Sequence, residues 1–152
     1  MKFRGLISTC IYDHRGIGEN VTIHPFTQVC EGAKIGMNTI IGHNVFIGEN
    51  VHIGEGCRIQ GNVYIPEGVY IGNNVFIGPG VTFTNTKHPQ IRGKSERQKT
   101  MVCEKVIIGA GATILSGITL YAECFIGAGA VVTKDVLNMQ LVAGNPAKPV
   151  RG

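Results

Sequence analysis

The sequence lacks tryptophan altogether, and phenylalanine and tyrosine bring the aromatic share to only 7% of 152 residues. Whatever core forms must be mainly aliphatic. Charge is also sparse, at 16%, and the formal net charge of +4 is mild. No long basic run is present, so nucleic acid is not an expected partner, whereas a phosphorylated small ligand suits that balance. No apolar stretch approaches the ~20 residues of a membrane span. The segment 1–12 has two basic residues but no sustained apolar run, and does not read as a signal peptide. Five cysteines form an odd set without a CxxC pair. Free thiols in a reducing cytoplasm is the economical reading. A 43% apolar content excludes a disordered chain, and the length suits one domain.

Glycine is abundant instead, with 22 residues spread evenly and without collagen's three-residue period. That distribution asks for a fold with many tight corners. The spacing behind it is six. Ile17, Ile23, Val29, Ile35, Ile41, Ile47, Ile53, Ile59, Ile65, Ile71, Ile77 and Phe83 recur at that step. Four residues after each of the first eleven comes a smaller side chain, from Val21 and Thr27 through Cys57 to Val81. Immediately before most of these stands Gly or Asn: Asn20, Gly32, Asn38, Asn44, Asn50, Gly56, Asn62, Gly68, Asn74 and Gly80. Neither a helical nor a simple alternating period accounts for this. A β-branched residue packing inward, a positive-φ corner and a small residue filling that corner do account for it. Three such segments close an 18-residue triangular coil, and coils stack at the strand spacing of ~4.8 Å. Each coil can bury its face only against its neighbours.

The period breaks after Phe83 and resumes out of phase at Val102, Ile108, Ile114, Leu120, Ile126 and Val132. Residues 17–136 therefore predict about six coils. Residues of about 84–101, with Arg92, Lys94, Arg97 and Lys99, form an ejected loop. Long excursions from regular scaffolds are more often functional than decorative. Residues 1–16 read as an irregular N-terminal cap and 137–152 as a C-terminal tail. No second domain is expected.

These hexads, with IIGAGATILSGITL, FIGAGAVVTKDV and VAGNPAKPVRG in the second half, resemble the hexapeptide-repeat β-helix acyltransferases. The general rule for parallel crossovers favours a right-handed turn, and the resemblance implies the left-handed exception: an all-β, single-domain left-handed parallel β-helix. It also implies a homotrimer, with acetyl-CoA as acyl donor lying between adjacent prisms. Outward aromatics at Phe46, Tyr64, Tyr70 and Phe76 suit such face-to-face packing. Within the family, IQGNVYIPEGVYIGNNVFIGPGVTFTN resembles the branch that N-acetylates nucleotide-linked amino sugars for bacterial surface polysaccharides such as lipopolysaccharide. By the same resemblance, Lys134, Lys148 and Arg151 would meet the phosphates of CoA. Ala110 and Ala128 would meet its pantetheine arm through their main chain. Ser116, where relatives often carry Pro, joins this cofactor-binding set.

Two loop residues are candidates for the chemistry. Asn85 matches the asparagine that the amino-sugar branch places beside the transfer point, and its carboxamide can both donate and accept. As an ordinary residue it would simply start a turn. His88, in VTFTNTKHP, matches the segment that carries the catalytic base in galactoside and maltose O-acetyltransferases. The alternatives are thus N-acetyl transfer, O-acetyl transfer with His88 as general base, and a non-catalytic β-helix scaffold. His52 and His88 are 36 residues apart, as in zinc-binding β-helix carbonic anhydrases, but the third ligand position would be Gly93. Glycine cannot bind zinc, and no metal is expected. Finally, Glu31, Glu49, Glu67 and Asn85 lie 18 apart and should form one column. Solvated corner carboxylates, or a neighbouring subunit's basic loop paired with them, are its two readings.

Overall fold

A hexad is too short to bury anything by itself, so its inward side chain must be covered by the same residue one turn away. That covering is what the chain achieves. In the computed structural model, which describes residues 2–3, 10–11 and 14–150, the hexads wind into a parallel β-helix with three flat faces. One face runs Lys2–Phe3, Thr22–Ile23, Ile40–Ile41, Arg58–Ile59, Phe76–Ile77, Ile107–Ile108, Phe125–Ile126 and Leu141–Ala143. A second runs Cys10–Ile11, Gln28–Val29, Phe46–Ile47, Tyr64–Ile65, Thr82–Phe83, Thr113–Ile114 and Val131–Val132. The third runs Lys34–Ile35, His52–Ile53, Val69–Ile71, Thr100–Val102 and Thr119–Leu120. A single 3-10 turn at His14–Gly16 is the one helical piece among the described residues. Among the described residues no helix is long and apolar enough to cross a membrane.

The solenoid has about seven turns rather than the six counted from the hexads. The extra length comes from both ends, where the six-residue pattern is lost. Lys2–Phe3 pairs with Thr22–Ile23, and Leu141–Ala143 continues the same face beyond Phe125–Ile126. Lys148–Pro149 then folds back antiparallel across Val142 and Ala143. Backbone pairing needs only extended chain, so rungs form there without the side-chain signature.

The interior consists of ladders. Ile23, Ile41, Ile59, Ile77, Ile108 and Ile126 stack on one face, and each is at most 1% exposed. Each such residue contributes roughly 1.5–3 kcal/mol by burial. Thr27 and Thr39 interrupt the apolar corner filling, and both are satisfied. Thr27 donates to Gly42 O at 2.7 Å and accepts from Val45 N at 3.1 Å; Thr39 donates to Gly54 O at 3.0 Å and accepts from Cys57 N at 3.1 Å. Cys57 and Cys124 fill corners like small hydrophobes, and burial pushes the Cys124 thiol up to about 11.

All ten Gly and Asn corner positions named above have positive φ. Asparagine adds a ladder of its own, with Asn44 Nδ2 donating to Asn62 Oδ1 at 2.8 Å. The same place in the Pro25 corner is held by Phe26, at φ 66° and 66% exposed, where no favourable residue relieves the backbone. Close approach of rungs sets a second demand. A Cβ on Gly109 would fall 2.5 Å from the backbone N of Ala128.

The loop leaves after Phe83 and re-enters at Thr100. Tyr70 pairs with His52 below and with Met101 above, so the step between rungs is 31 residues there instead of 18. The rungs on either side remain in register.

Two stability changes follow from the corners. Phe26→Asn should raise the unfolding free energy by about 0.5–1 kcal/mol, because asparagine tolerates the left-handed region at less cost. Gly109→Ala should lower it by roughly 1–3 kcal/mol, the usual range for forced overpacking. Urea denaturation followed by circular dichroism measures both; a neutral Gly109→Ala would contradict the close-approach argument.

Candidate active site

Where a regular corner would continue, the backbone N–H of residue 86 would bond to the carbonyl of Glu67, as Asn50 N bonds to Glu31 O at 3.1 Å one coil-pair below. The chain departs instead. The Asn85 side chain takes over that acceptor, its Nδ2 donating to Glu67 O at 3.1 Å. Its Oδ1 accepts from the Thr86 hydroxyl at 3.2 Å, and its own carbonyl accepts from Gln98 N at 2.8 Å. A carboxamide has two hydrogens and two lone-pair sites. One of each is therefore committed, and one of each is left for a ligand.

Asn85 is half-buried and lines a groove with Cys30, Phe46, Glu49, Tyr64, Glu67 and Arg97. Phe46 and Tyr64 stack with centroids 5.0 Å apart, forming an aromatic floor on the second face. Of the carboxylate column expected beneath Asn85, Glu49 and Glu67 border this groove. The cation that meets it belongs to the same chain: Arg97, on the returning strand of the loop, forms an ion pair with Glu67. Both partners are substantially exposed, so the pair contributes under ~1 kcal/mol and locates the loop more than it stabilises it.

The neck of the loop is pinned from three directions. Thr86 and Arg97 form an isolated antiparallel bridge. Ser116 Oγ donates to Gln98 Oε1 at 3.2 Å, and Ser116 N donates to Thr84 Oγ1 at 3.0 Å. Gly117 N donates to Thr100 Oγ1 at 3.2 Å. Ser116 is buried, and its polar groups serve the loop ends. Among the expected site residues it is therefore grouped with Asn85 and not with Ala110 and Ala128. Sequence reasoning had no signal for Gln98, whose importance depends on which carbonyl its N–H reaches.

His88, three residues beyond Asn85, does not line the same groove. It is exposed and lines a separate cavity within the loop, with Lys87, Gln90, Lys94, Glu96 and Gln98. It shares no column with His52 either. The rung above His52 is Tyr70, and the next is Met101. The 36-residue spacing fails because the ejected loop does not advance the coil. His52 instead stacks on Tyr70 at 4.6 Å and 7°, with its pKa held below the ordinary value by burial first and Lys34 second. No group of three His, Cys, Asp or Glu residues among the described residues could hold a metal ion.

Ala110 and Ala128 occupy successive rungs of a different edge, and both are exposed. The Ala110 carbonyl accepts from Gly129 N at 2.8 Å. Beside them Gly111 and Gly129 have positive φ, and a Cβ on either would meet nothing within 4 Å. This edge is an open shelf with room for a narrow arm. Lys134 is exposed and borders a depression with Asp135, whose Oδ1 accepts from Thr119 N at 2.8 Å. Lys148 is exposed on the strand that folds back. Arg151 lies outside the described residues.

Comparison with known proteins accords with this architecture. The model of the bacterial transferase hexapeptide (six repeats) matches residues 16–49 and 50–85, and that of the hexapeptide repeat of succinyl-transferase matches 104–134. Curated relatives include a galactoside O-acetyltransferase of Lactococcus lactis, 34% identical over 73 residues, covering 45% of this chain and 35% of the relative. Another is serine acetyltransferase 2 of Arabidopsis thaliana, 38% identical over 68 residues, covering 45% and 18%. The alignments thus span between about a fifth and a third of those relatives' own length. Among solved structures, a hexapeptide-repeat acetyltransferase of Vibrio cholerae complexed with acetyl coenzyme A is similar, at TM-score 0.61 and 25% identity. That match covers 80% of this chain and 70% of the other. AntD, an N-acyltransferase of Bacillus cereus in complex with dTDP and coenzyme A, has TM-score 0.78 at 17% identity, covering 94% and 90%. PerB of Caulobacter crescentus, in complex with CoA and GDP-perosamine, has TM-score 0.63 at 23% identity, covering 86% and 57%. With repeats matched along most of its length and folded as stacked hexads, the chain belongs to the hexapeptide-repeat acyltransferase family.

Proposed function

We propose that this protein is an acetyl-CoA-dependent N-acetyltransferase acting on the amino group of a nucleotide-linked amino sugar. The observation that carries the reading is the pairing at Asn85: a carboxamide with one donor and one acceptor to spare, in a groove that His88 does not share. An amine acceptor can use such a site. Taken as similar to an α-amino group, with a pKa of about 8, roughly a quarter of it is free base near pH 7.5. Asn85 Oδ1 orients that amine, and the spare hydrogen of Nδ2 is available to the oxygen on which negative charge develops. A hydroxyl acceptor would need its proton removed during attack, which requires a general base such as His88, whereas the amine does not. Acetyl-CoA supplies the acyl group as a thioester: the amine nitrogen attacks its carbonyl carbon, the C–S bond breaks, and the departing CoA thiolate collects the proton lost from nitrogen. The shelf along Ala110 and Ala128 suits its narrow arm, and Lys134, Lys148 and Arg151 supply cations toward its phosphates. Two of the similar structures were solved with CoA and a nucleotide or nucleotide sugar, which favours the same pair of ligands here.

Assembly belongs to the same proposal. Phe76, Ile107, Phe125 and Leu141 pair rung to rung on the first face, each 36–41% exposed, and Tyr64 and Tyr70 are similarly exposed on the other faces. Such flat apolar columns suit contact with a second prism, and a homotrimer with sites between subunits is the arrangement we infer. Among the described residues Cys57, Cys103 and Cys124 are free thiols, which fits a cytoplasmic setting.

Turnover measured across pH 6 to 9 with the best acceptor from a nucleotide-amino-sugar screen tests the chemistry. His88→Ala should cost less than about tenfold, and Asn85→Ala more. A loss of 10²–10⁴ at His88, the range for a general base, would transfer the assignment to a hydroxyl acceptor. Lys134→Ala combined with Arg151→Ala should raise the Michaelis constant for acetyl-CoA at least tenfold, since charge-assisted bonds contribute about 1.5–3 kcal/mol each. Acceptor affinity should stay unchanged. Absence of acetyl-CoA binding at millimolar concentration would leave a scaffold role in front.

A further inference from the structure

The loop is where the chain concentrates its positive charge. Residues 85–99 contain Lys87, Arg92, Lys94, Arg97 and Lys99 against one carboxylate, Glu96, in a protein with 14 cations in all. Arg97 is committed to Glu67. Lys87 and Lys94 make no ion pair among the described residues, yet both line one cavity of about 370 Å³ with His88, Gln90, Glu96 and Gln98.

The fold of the loop brings those two lysines to one cavity. Gly93, at φ 95°, reverses the chain, and Gln90 N donates to Ser95 Oγ at 2.9 Å. The outgoing and returning strands are joined by the Thr86–Arg97 bridge and by Gln98 N on Asn85 O. Two like charges drawn toward one cavity repel one another unless an anion lies between them, and the one carboxylate lining it, Glu96, balances only one of the two. Ammonium, imidazole and carboxamide groups all donate to phosphate oxygens. The cavity is also close to the proposed transfer point. Lys87 is two residues from Asn85, so their Cα atoms are at most about 7 Å apart, and Gln98 touches both sites.

From this we infer that the loop cavity is a diphosphate-binding site, in which Lys87 and Lys94, with His88 and Gln90, hold the diphosphate of the acceptor nucleotide while its sugar reaches Asn85. The inference rests on the nucleotide-linked acceptor proposed above. The phosphates of CoA are the other source of the same chemistry, and Lys134 and Lys148, both outside the loop, are separate cations available to them.

Calorimetric titration of the whole protein with inorganic pyrophosphate, and separately with adenosine 3′,5′-bisphosphate as the CoA fragment, tests the site. Pyrophosphate should bind, and K87Q combined with K94Q should weaken it at least tenfold without moving the thermal midpoint, because the loop lies outside the stacked rungs. The same double variant should leave the bisphosphate constant within about twofold. Lack of pyrophosphate binding at millimolar concentration, or an unchanged constant in the double variant, overturns the inference. Loss of bisphosphate binding with pyrophosphate unaffected overturns it too, assigning the lysines to CoA. Lysine-dependent pyrophosphate binding without turnover of any nucleotide-linked amino sugar upholds the site and removes the acceptor reading instead.

Discussion

Every other feature of this protein depends on one constraint: the backbone must turn sharply every six residues without losing the hydrogen bonds between rungs. A residue with positive φ makes that turn. Its N–H still reaches the rung one coil away, as Asn38 N does to Glu19 O at 2.9 Å and Asn74 N to Glu55 O at 2.8 Å. Gly and Asn occupy most corners because other residues pay in backbone strain. Lys105 and Glu123 are exceptions at φ 56° and 59°. They stand one above the other, and their side chains meet at 3.4 Å, an exposed pair of minor energetic weight.

The same regularity explains why the candidate chemistry gathers where the repeat fails. A regular corner spends its carbonyls on the next rung, and has little left to offer a ligand. At the loop's departure the backbone withdraws an N–H from Glu67 O, and the Asn85 carboxamide replaces it. Structural repair and functional potential therefore occupy one side chain. The repair anchors the Asn85 amide to Glu67 O, and Asn85 lines a groove with the Phe46–Tyr64 stack, Glu49, Glu67 and Arg97. The loop's charged excursion is closed off at its neck by Gln98 and Ser116.

Much of this was legible in the residues alone. Inward ladders, the ten Gly and Asn corners, the break after Phe83 and the change of phase at Val102 follow from side-chain size and backbone preference at a fixed interval. Such properties are local, and stacking merely repeats them. The carboxylate column beneath Asn85 was readable for the same reason, being arithmetic within uninterrupted coils. Arithmetic across the loop misled: His52 and His88 differ by 36, yet the loop adds residues without adding rungs. The terminal turns were invisible because strand pairing at Leu141–Ala143 uses backbone groups common to all residues.

What the sequence determined by itself, then, is the coil: its period, its inward column and its corners. Only the tertiary structure decided the partners of residues that leave the period. Arg97 could have reached another subunit's carboxylates but folds back to Glu67 of its own chain. Ser116 could have joined the shelf of Ala110 and Ala128 but bonds Gln98 and Thr84. His88 follows Asn85 by three residues, yet faces a different cavity. A repeating rung is specified by neighbours six and eighteen residues away. A loop is specified by where its reversal at Gly93 returns the chain, and no periodicity carries that information.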